Sequence, residues 1–446
     1  MTEVHEVSGL LKALHIEIAP QGLQKLALGI FLLVYVMIIL EKYFHRTVAA
    51  LLGASVVMVL GVIPPHGAWS SIDYNTIFLL FGMMNIVTVL AHSGFFNLLA
   101  VKALKVTGTN PLKILFTFTV LTAVFSAFLD NVTTILFMTP IIIRIAKVLD
   151  LPPVPYVVAL VLASNTGGTT TLIGDPPNII IGSIAKKSFN DFLIHVAPHA
   201  ILGFIAGLIV NFAYLHFRGI LKPRKSSVDL REFESLQEEE VYPDLMRKGV
   251  TVFVATIVLF ILGHTLHIEP GIIALFTSTL LMMWSGLSPA YVLEKVEWTT
   301  LLFFVGLFIV VGSLEHTGVF TEAAKMLIEV MGTDIAKGIW VIGASSALIS
   351  GFVDNIPFTM SMAFVLKNMS SSFSSNFDNL WWALSLGACL GGNFTIIGAS
   401  ANIVASALAE KEGYHISFLT FMKYGTPVAI LSTFVSLLSL FFFSGV

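Results

Sequence analysis

The chain is divided into a long series of apolar runs, many of which approach the roughly 20 residues that a helix needs to cross a bilayer. They cover 26–41, 48–63, 74–91, 111–128, 132–149, 154–164 with a continuation past a polar break, and 198–217. A second series covers 250–266, 271–285, 298–314, 337–353, 356–367, 380–390 with a similar break, and 424–443. Backbone groups within lipid must be satisfied by the chain itself, so runs of this length predict helices. The composition agrees, with 56% hydrophobic and 11% charged residues, against about 25% charged in ordinary globular chains. A soluble enzyme, a nucleic-acid-binding domain and a secreted disulfide scaffold are excluded. The 24 Lys+Arg nearly cancel the 27 Asp+Glu, so no global field points to nucleic acid or another charged partner. The single cysteine, Cys389, excludes an internal disulfide and a zinc site built on several thiolates. The first twenty residues lack the basic and apolar regions of a signal peptide, so the first spanning helix is expected to direct insertion.

The two series are copies. Shifted by the separation of Asp130 from Asp354, 224 residues, the chain matches itself without a gap from residue 72 to beyond 178. His92-Ser93-Gly94 meets His316-Thr317-Gly318, and Phe128-Leu129-Asp130-Asn131 meets Phe352-Val353-Asp354-Asn355. Gly167-Gly168 meets Gly391-Gly392, and Asn178 meets Asn402. Shared apolar composition would not hold Gly, His, Asp and Asn in one register. Between the copies lies one polar stretch, Arg218 to Lys248, which reads as a solvated linker.

The runs 111–128 with 132–149, and 337–353 with 356–367, are too closely joined to span independently and read as re-entrant hairpins. Each copy then crosses about five times, and an odd number of crossings inserts the second copy upside down. The fold class expected is an all-α polytopic membrane protein of two inverted repeats, with about ten crossings, two hairpins and two broken helices. Its divisions are an extracytoplasmic segment 1–22, a first repeat 23–218, a linker 219–248 and a second repeat 249–446. With the linker in the cytoplasm and both termini outside, most Lys and Arg fall on the inner side, as the positive-inside rule requires.

Two features recur once per copy. The first is the Asp-Asn pair at each hairpin tip: Asp130 with Asn131, and Asp354 with Asn355. A charge at membrane depth costs at least ~2.5–3.5 kcal/mol, so it faces a polar cavity or a partner. The second is the polar break, which carries Asn165, Thr166, Thr171, Asp175 and Asn178 in the first copy and Asn393, Thr395 and Asn402 in the second. Unwound backbone at membrane depth is tolerated where it lines a cavity, and its freed groups can ligate an ion or a small polar solute. Asp175 has Ala399 at its mirror position, so the two halves of the site are chemically unequal. For a single Thr or Asn, capping a broken helix explains the residue as well as ligation does. The acids are harder to dismiss.

Other residues carry less. His264, His267 and Glu269 have a loose metal-like spacing but fall where a helix leaves the membrane, so a solvated turn is expected. His92 and His316 read as interfacial or capping residues, and Glu315 as solvated. Cys389 lies near the second break and reads as buried packing or as a contact for a thiophilic solute. Phe434 to Phe443 reads as a lipid-facing helix end. The chain has no G-x-x-x-x-G-K-[ST] phosphate loop. No catalytic residue, resident metal or cofactor is expected.

The stretches FLDNVTTILFMTPIIIRI and SNTGGTTTLIGDPPNIII resemble the ion transporter superfamily, and within it the arsenical pump membrane protein and pink-eyed-dilution permease group. The resemblance implies a scaffold part and a transport part in each half, with substrate between the hairpin tips. It implies proton-coupled or sodium-coupled transport and, in the arsenical pump branch, export of arsenite and antimonite in exchange for protons, with or without a separate soluble ATPase. Relatives are often homodimers, so a second copy and the bilayer are the other expected partners. The divalent-anion/sodium symporters of the superfamily carry Ser-Asn-Thr at both tips. Here the tips read Asp-Asn, and Ser164-Asn165-Thr166 stands on the broken helix. Those symporters also usually have an uncharged residue where Asp175 stands.

Three added acids disfavour a carboxylate substrate and favour a cation or a neutral solute. The expectation is an inner-membrane antiporter that exports arsenite or antimonite against protons, with Asp130, Asp354 and Asp175 as proton carriers. Its rivals are a Na⁺/H⁺ antiporter using the same carboxylates, a Na⁺-coupled anion symporter, and a passive channel.

Overall fold

The computed structural model describes Ala13 and residues 19–40, 43–221, 240–373 and 376–445. Most of the linker, the segment before Ala19 apart from Ala13, and the charges Lys12, Lys42, Lys222, Arg224, Lys225 and Arg231 lie outside the described residues. Every regular element among those described is helical.

The first copy runs α1 Pro20–Ile39, α2 Arg46–Leu60, α3 Pro65–Ser70, α4 Tyr74–His92, α5 Phe95–Thr107, α6 Pro111–Phe128, α7 Asn131–Val148, α8 Pro153–Gly168, α9 Pro176–Ala185, α10 Phe189–His195 and α11 Ala197–Phe217. The second runs α12 Pro243–Leu266, α13 Pro270–Ser285, α14 Pro289–Glu294, α15 Trp298–His316, α16 Val319–Met331, α17 Ile335–Ser350, α18 Asn355–Met369, α19 Asp378–Gly391, α20 Ser400–Lys411 and α21 Phe418–Phe443. Many of these helices open with proline in the first turn, where its missing N–H costs nothing and its fixed φ fits the helix. Among the described residues, eight helices are long and apolar enough to cross a membrane. α6 and α7 are among them, so length alone would let each hairpin arm cross. Their shared tip instead ends beside the opposite tip, inside the protein.

The short elements α5 and α16 are absent from the hydropathy reading. Gly94 and Gly318 open them with φ of 78° and 79°, a left-handed turn natural to glycine. Both elements carry charges that break an apolar run, Lys102 and Lys105 in one and Glu322, Lys325 and Glu329 in the other.

Packing repeats as faithfully as the sequence does. α4 lies on α13, and its counterpart α15 lies on α2, so each copy leans on the other. These crossings are close because of glycine. A Cβ at Gly82 would overlap the backbone of Ala274, and one at Gly306 would overlap that of Ala50. The Thr47 hydroxyl donates to the Thr299 carbonyl at 2.8 Å, while the Gly271 N–H donates to the Asn75 side chain at 2.7 Å. In the second layer the hairpin arms α6 and α17 pack on the broken helices α8 and α19. The half-helices then cross over, α9 onto α18 and α20 onto α7. Helices α11 and α21 brace this layer by packing on each other.

Candidate functional site

Both tips and both breaks converge at the centre. Asp130 and Asp354 are the N-cap residues of α7 and α18, and capping is what turns each chain at the hairpin. Asp130 accepts from the Thr133 N–H at 2.9 Å and from the Thr133 hydroxyl. Asp354 accepts from the Ile356 N–H at 2.9 Å and pairs with Arg46, whose Nη1 is 3.6 Å away. Arg46 also donates to Ser400 and lies over the Phe303 ring.

Asp175 occupies the N-cap position of α9 but makes no capping bond. Its side chain turns into the protein, where the Asn131 amide donates to it at 3.1 Å. Its second carboxylate oxygen and the amide nitrogen of Asn355 are buried without a hydrogen bond, although Asn355 and Cys389 stand beside Asp175. Cys389 Sγ donates weakly to Asn178 at 3.5 Å, so the thiol is packed behind Asp175.

The remaining sequence-nominated residues divide by what they touch. Asn165 ties the copies together, its amide donating to Asn393 and to Asn402 at 2.9 Å each. Asn393 donates onward to Thr166 at 3.2 Å. Asn178 and Asn402 donate to carbonyls of their own breaks, Thr169 and Thr171 in one, Gly392 and Thr395 in the other. Thr171 and Thr395 donate back to the hairpin carbonyls of Ala127 and Gly351. These bonds satisfy the unwound backbone, which would otherwise cost about 1–3 kcal/mol for each unpaired group. They leave Asp130, Asn131, Asp175 and Asn355 to line a small cavity of about 20 Å³ with Arg46, Glu297, Thr300 and Ser400. That is room for about one water.

Arg46 and Glu297 do not stand out in the sequence. Each sits at a helix start, where a charge ordinarily means a membrane boundary. The clue lay in the repeat itself, because Arg46 is mirrored by Pro270 and has no charged mate. The weaker candidates resolve simply. His264, His267 and Glu269 lie on an exposed turn, and no metal-ligating group forms among the described residues. His92 Nδ1 is 3.0 Å from the Tyr291 hydroxyl. Glu315 is held by Asn368 at 3.0 Å and Lys367 at 3.6 Å, where a solvated carboxylate was expected.

A larger cavity of about 670 Å³ leads toward this centre. Its rim holds Glu240 and Tyr242 at the end of the linker, and its floor reaches Thr133 and Glu297. Thr88, Ala91, Asn97, Phe137 and Arg144 line it. Their mirror residues Gly312, Glu315, Thr321, Ser361 and Asn368 are instead held in close contacts. Gly312 sits against Ser71, Ser361 meets the Tyr35 hydroxyl at 3.4 Å, and Asn368 bonds both Thr321 and Glu315. The same surface is open in one copy and zipped in the other.

Two inverted copies that meet at paired, charged hairpin tips, with a large cavity leading toward them, define a secondary transporter. Solved structures of the same architecture include the YdaH transporter of Alcanivorax borkumensis, with a TM-score of 0.59 and 12% identity, covering 95% of this chain and 98% of that one. MtrF of Neisseria gonorrhoeae, described as illuminating a class of antimetabolite efflux pumps, aligns with a TM-score of 0.60 and 13% identity over 97% and 96%. The chain belongs to the citrate transporter family, CitMHS, whose profile matches residues 35–387. Similar proteins include an uncharacterised transporter, Rv2684, of Mycobacterium tuberculosis, 39% identical over 91% of this chain and 95% of the relative. The P protein of Mus musculus is 34% identical over 91% of this chain, which spans 58% of that protein.

Proposed function

We propose that the chain is a proton-coupled antiporter that exports a small inorganic solute, with arsenite and antimonite as its substrates. The observation that carries this reading is the convergence of Asp130, Asp175, Asp354 and Glu297 on a buried centre that holds one cation, Arg46. Excess negative charge repels a carboxylate. It suits protons, and it suits a neutral solute whose hydroxyls hydrogen-bond to carboxylate and amide groups, as arsenous acid would. The buried Cys389 beside Asp175 places a soft group directly behind the lining. The efflux class to which the MtrF structure is ascribed supports the direction. In this reading the chain sits in the inner membrane with the linker cytoplasmic and the termini outside, and the vestibule takes solute from the cytoplasm. The mirrored closure supports alternating access, with the copies exchanging their open and zipped arrangements.

Arg46 favours a second reading. Released from Asp354, it could hold a carboxylate, and the family description names citrate. Purified protein in liposomes with a trapped pH dye separates the two. Proton flux on adding arsenite or antimonite supports the antiporter. Flux with citrate supports the second reading, and flux with Na⁺ or Li⁺ alone overturns both in favour of cation exchange.

A further inference from the structure

We infer that Glu297 is a proton-carrying site, placed to pass protons between the vestibule and the buried hairpin-tip carboxylate. The inference rests on the proton-coupled reading above. Glu297 lines both the large vestibule and the small central cavity. Met84 is the other residue on both walls, and it cannot carry a proton. Glu297 is half-buried, whereas Asp175 is wholly buried, so the two carboxylates differ in their access to water. Asp130, Asp175 and Arg46 line the central cavity together with Glu297, and Asp130 at the hairpin tip is the acid assigned as next inward. Asn131 then joins Asp130 in sequence to Asp175 in space.

The mirror residue shows that this placement is not a by-product of helix capping. Asp73 uses its carboxylate to cap α4, accepting from the Asn75 N–H at 3.1 Å and from the Thr76 hydroxyl at 2.5 Å. Glu297 stands at the same point of α15 and makes no capping bond to the backbone. One methylene longer, it accepts only from the Thr300 hydroxyl at 3.1 Å, and its head reaches past the helix start toward Asp130. In the transfer a hydronium ion in the vestibule protonates the Glu297 carboxylate. Glu297 then gives that proton to the Asp130 carboxylate and returns to its ionised form. Export of solute reverses the route.

The test uses the full-length protein in liposomes, with whichever of arsenite, antimonite, citrate, Na⁺ or Li⁺ moves protons in the unmodified chain. Two rates are read: proton flux driven by the solute, and exchange of that solute at equal pH, which needs no net proton movement. Glu297→Gln keeps the acceptor for Thr300 and removes the titratable group. It is expected to lower proton flux about a hundredfold while exchange, which a lining residue also touches, falls far less. Unchanged proton flux, or loss of exchange together with flux, overturns the inference. If the unmodified chain moves no protons with any solute, the proton-coupled reading fails first, and the relay falls with it. A second measurement needs no transport. Glu297→Cys should react with a charged, water-soluble thiol reagent much faster than Asp130→Cys, the native Cys389 being buried. Equal labelling of the two, or none at position 297, overturns the placement.

Discussion

Asp130 and Asp354 hold equivalent places in two copies of one design, and their surroundings differ. Asp354 faces a guanidinium, is 8% exposed and caps its helix by accepting from the Ile356 N–H. Asp130 faces a second acid, Glu297, and is held by the Thr133 N–H and hydroxyl. One tip is therefore paired with a permanent cation, and the other shares the central cavity with a second acid. The breaks differ in the same sense, with Asp175 in the first copy and Ala399 in the second. Backbone symmetry builds the cage, and side-chain asymmetry divides the work within it.

The comparison breaks most sharply at Arg46. Arg46→Ala leaves Asp354 nearly buried without its cation and should cost about 3–5 kcal/mol. Thermal unfolding in detergent checks this, and adding Asp354→Asn should restore most of the loss. If Arg46→Ala is as stable as the parent, the two tips are not distinguished by charge pairing. Next come Asp130→Asn and Asp175→Asn, which keep shape and remove a proton site. Each should lower solute-driven proton flux about a hundredfold with little change in unfolding temperature. Wild-type flux in either variant removes that residue from the coupling site. A smaller effect tests the symmetric part. Gly82→Ala and Gly306→Ala each push a methyl into facing backbone and should cost about 1–3 kcal/mol, by similar amounts. Very unequal losses would show that the crossings are not equivalent.

The smallest effect is expected at the exposed pair of Lys147 and Glu412, 2.6 Å apart. Lys147 holds the Glu412 carboxyl below its ordinary range. The pair's contribution is therefore present above the ordinary carboxylate pKa and fades as pH falls through the lowered value. Lys147→Met should leave unfolding unchanged at neutral pH within error and remove only that slight acid sensitivity. A large loss at neutral pH would mean that this contact does more than a surface pair does.

Much of this was legible in the sequence. Hydropathy located the spans, and the register of Asp130 with Asp354 and of Asn178 with Asn402 located the hairpins and breaks before any coordinates. What it hid has definite causes. Helices α5 and α16 are amphipathic and short, so their charges read as loops. Arg46 and Glu297 lie far along the chain from the tips they meet. The α2–α15 packing brings Arg46 close to Phe303, and no local pattern announces a contact made between copies. The split of the polar residues into cavity lining and backbone braces was likewise invisible. An asparagine bonded to two carbonyls and an asparagine facing a cavity look the same in a sequence.

The reciprocal crossing of α4 on α13 and of α15 on α2 bears on how the protein is made. Each crossing joins a helix of the first copy to one of the second, through glycines that admit the partner's backbone. When the ribosome has finished the first copy, Gly82 and Ala50 have nothing to meet. The hairpin layer of the early half has partners of its own, but these two crossings form only once the late half arrives. Halves expressed from two separate genes should therefore assemble into a working transporter when both are present, and each should be degraded when made alone.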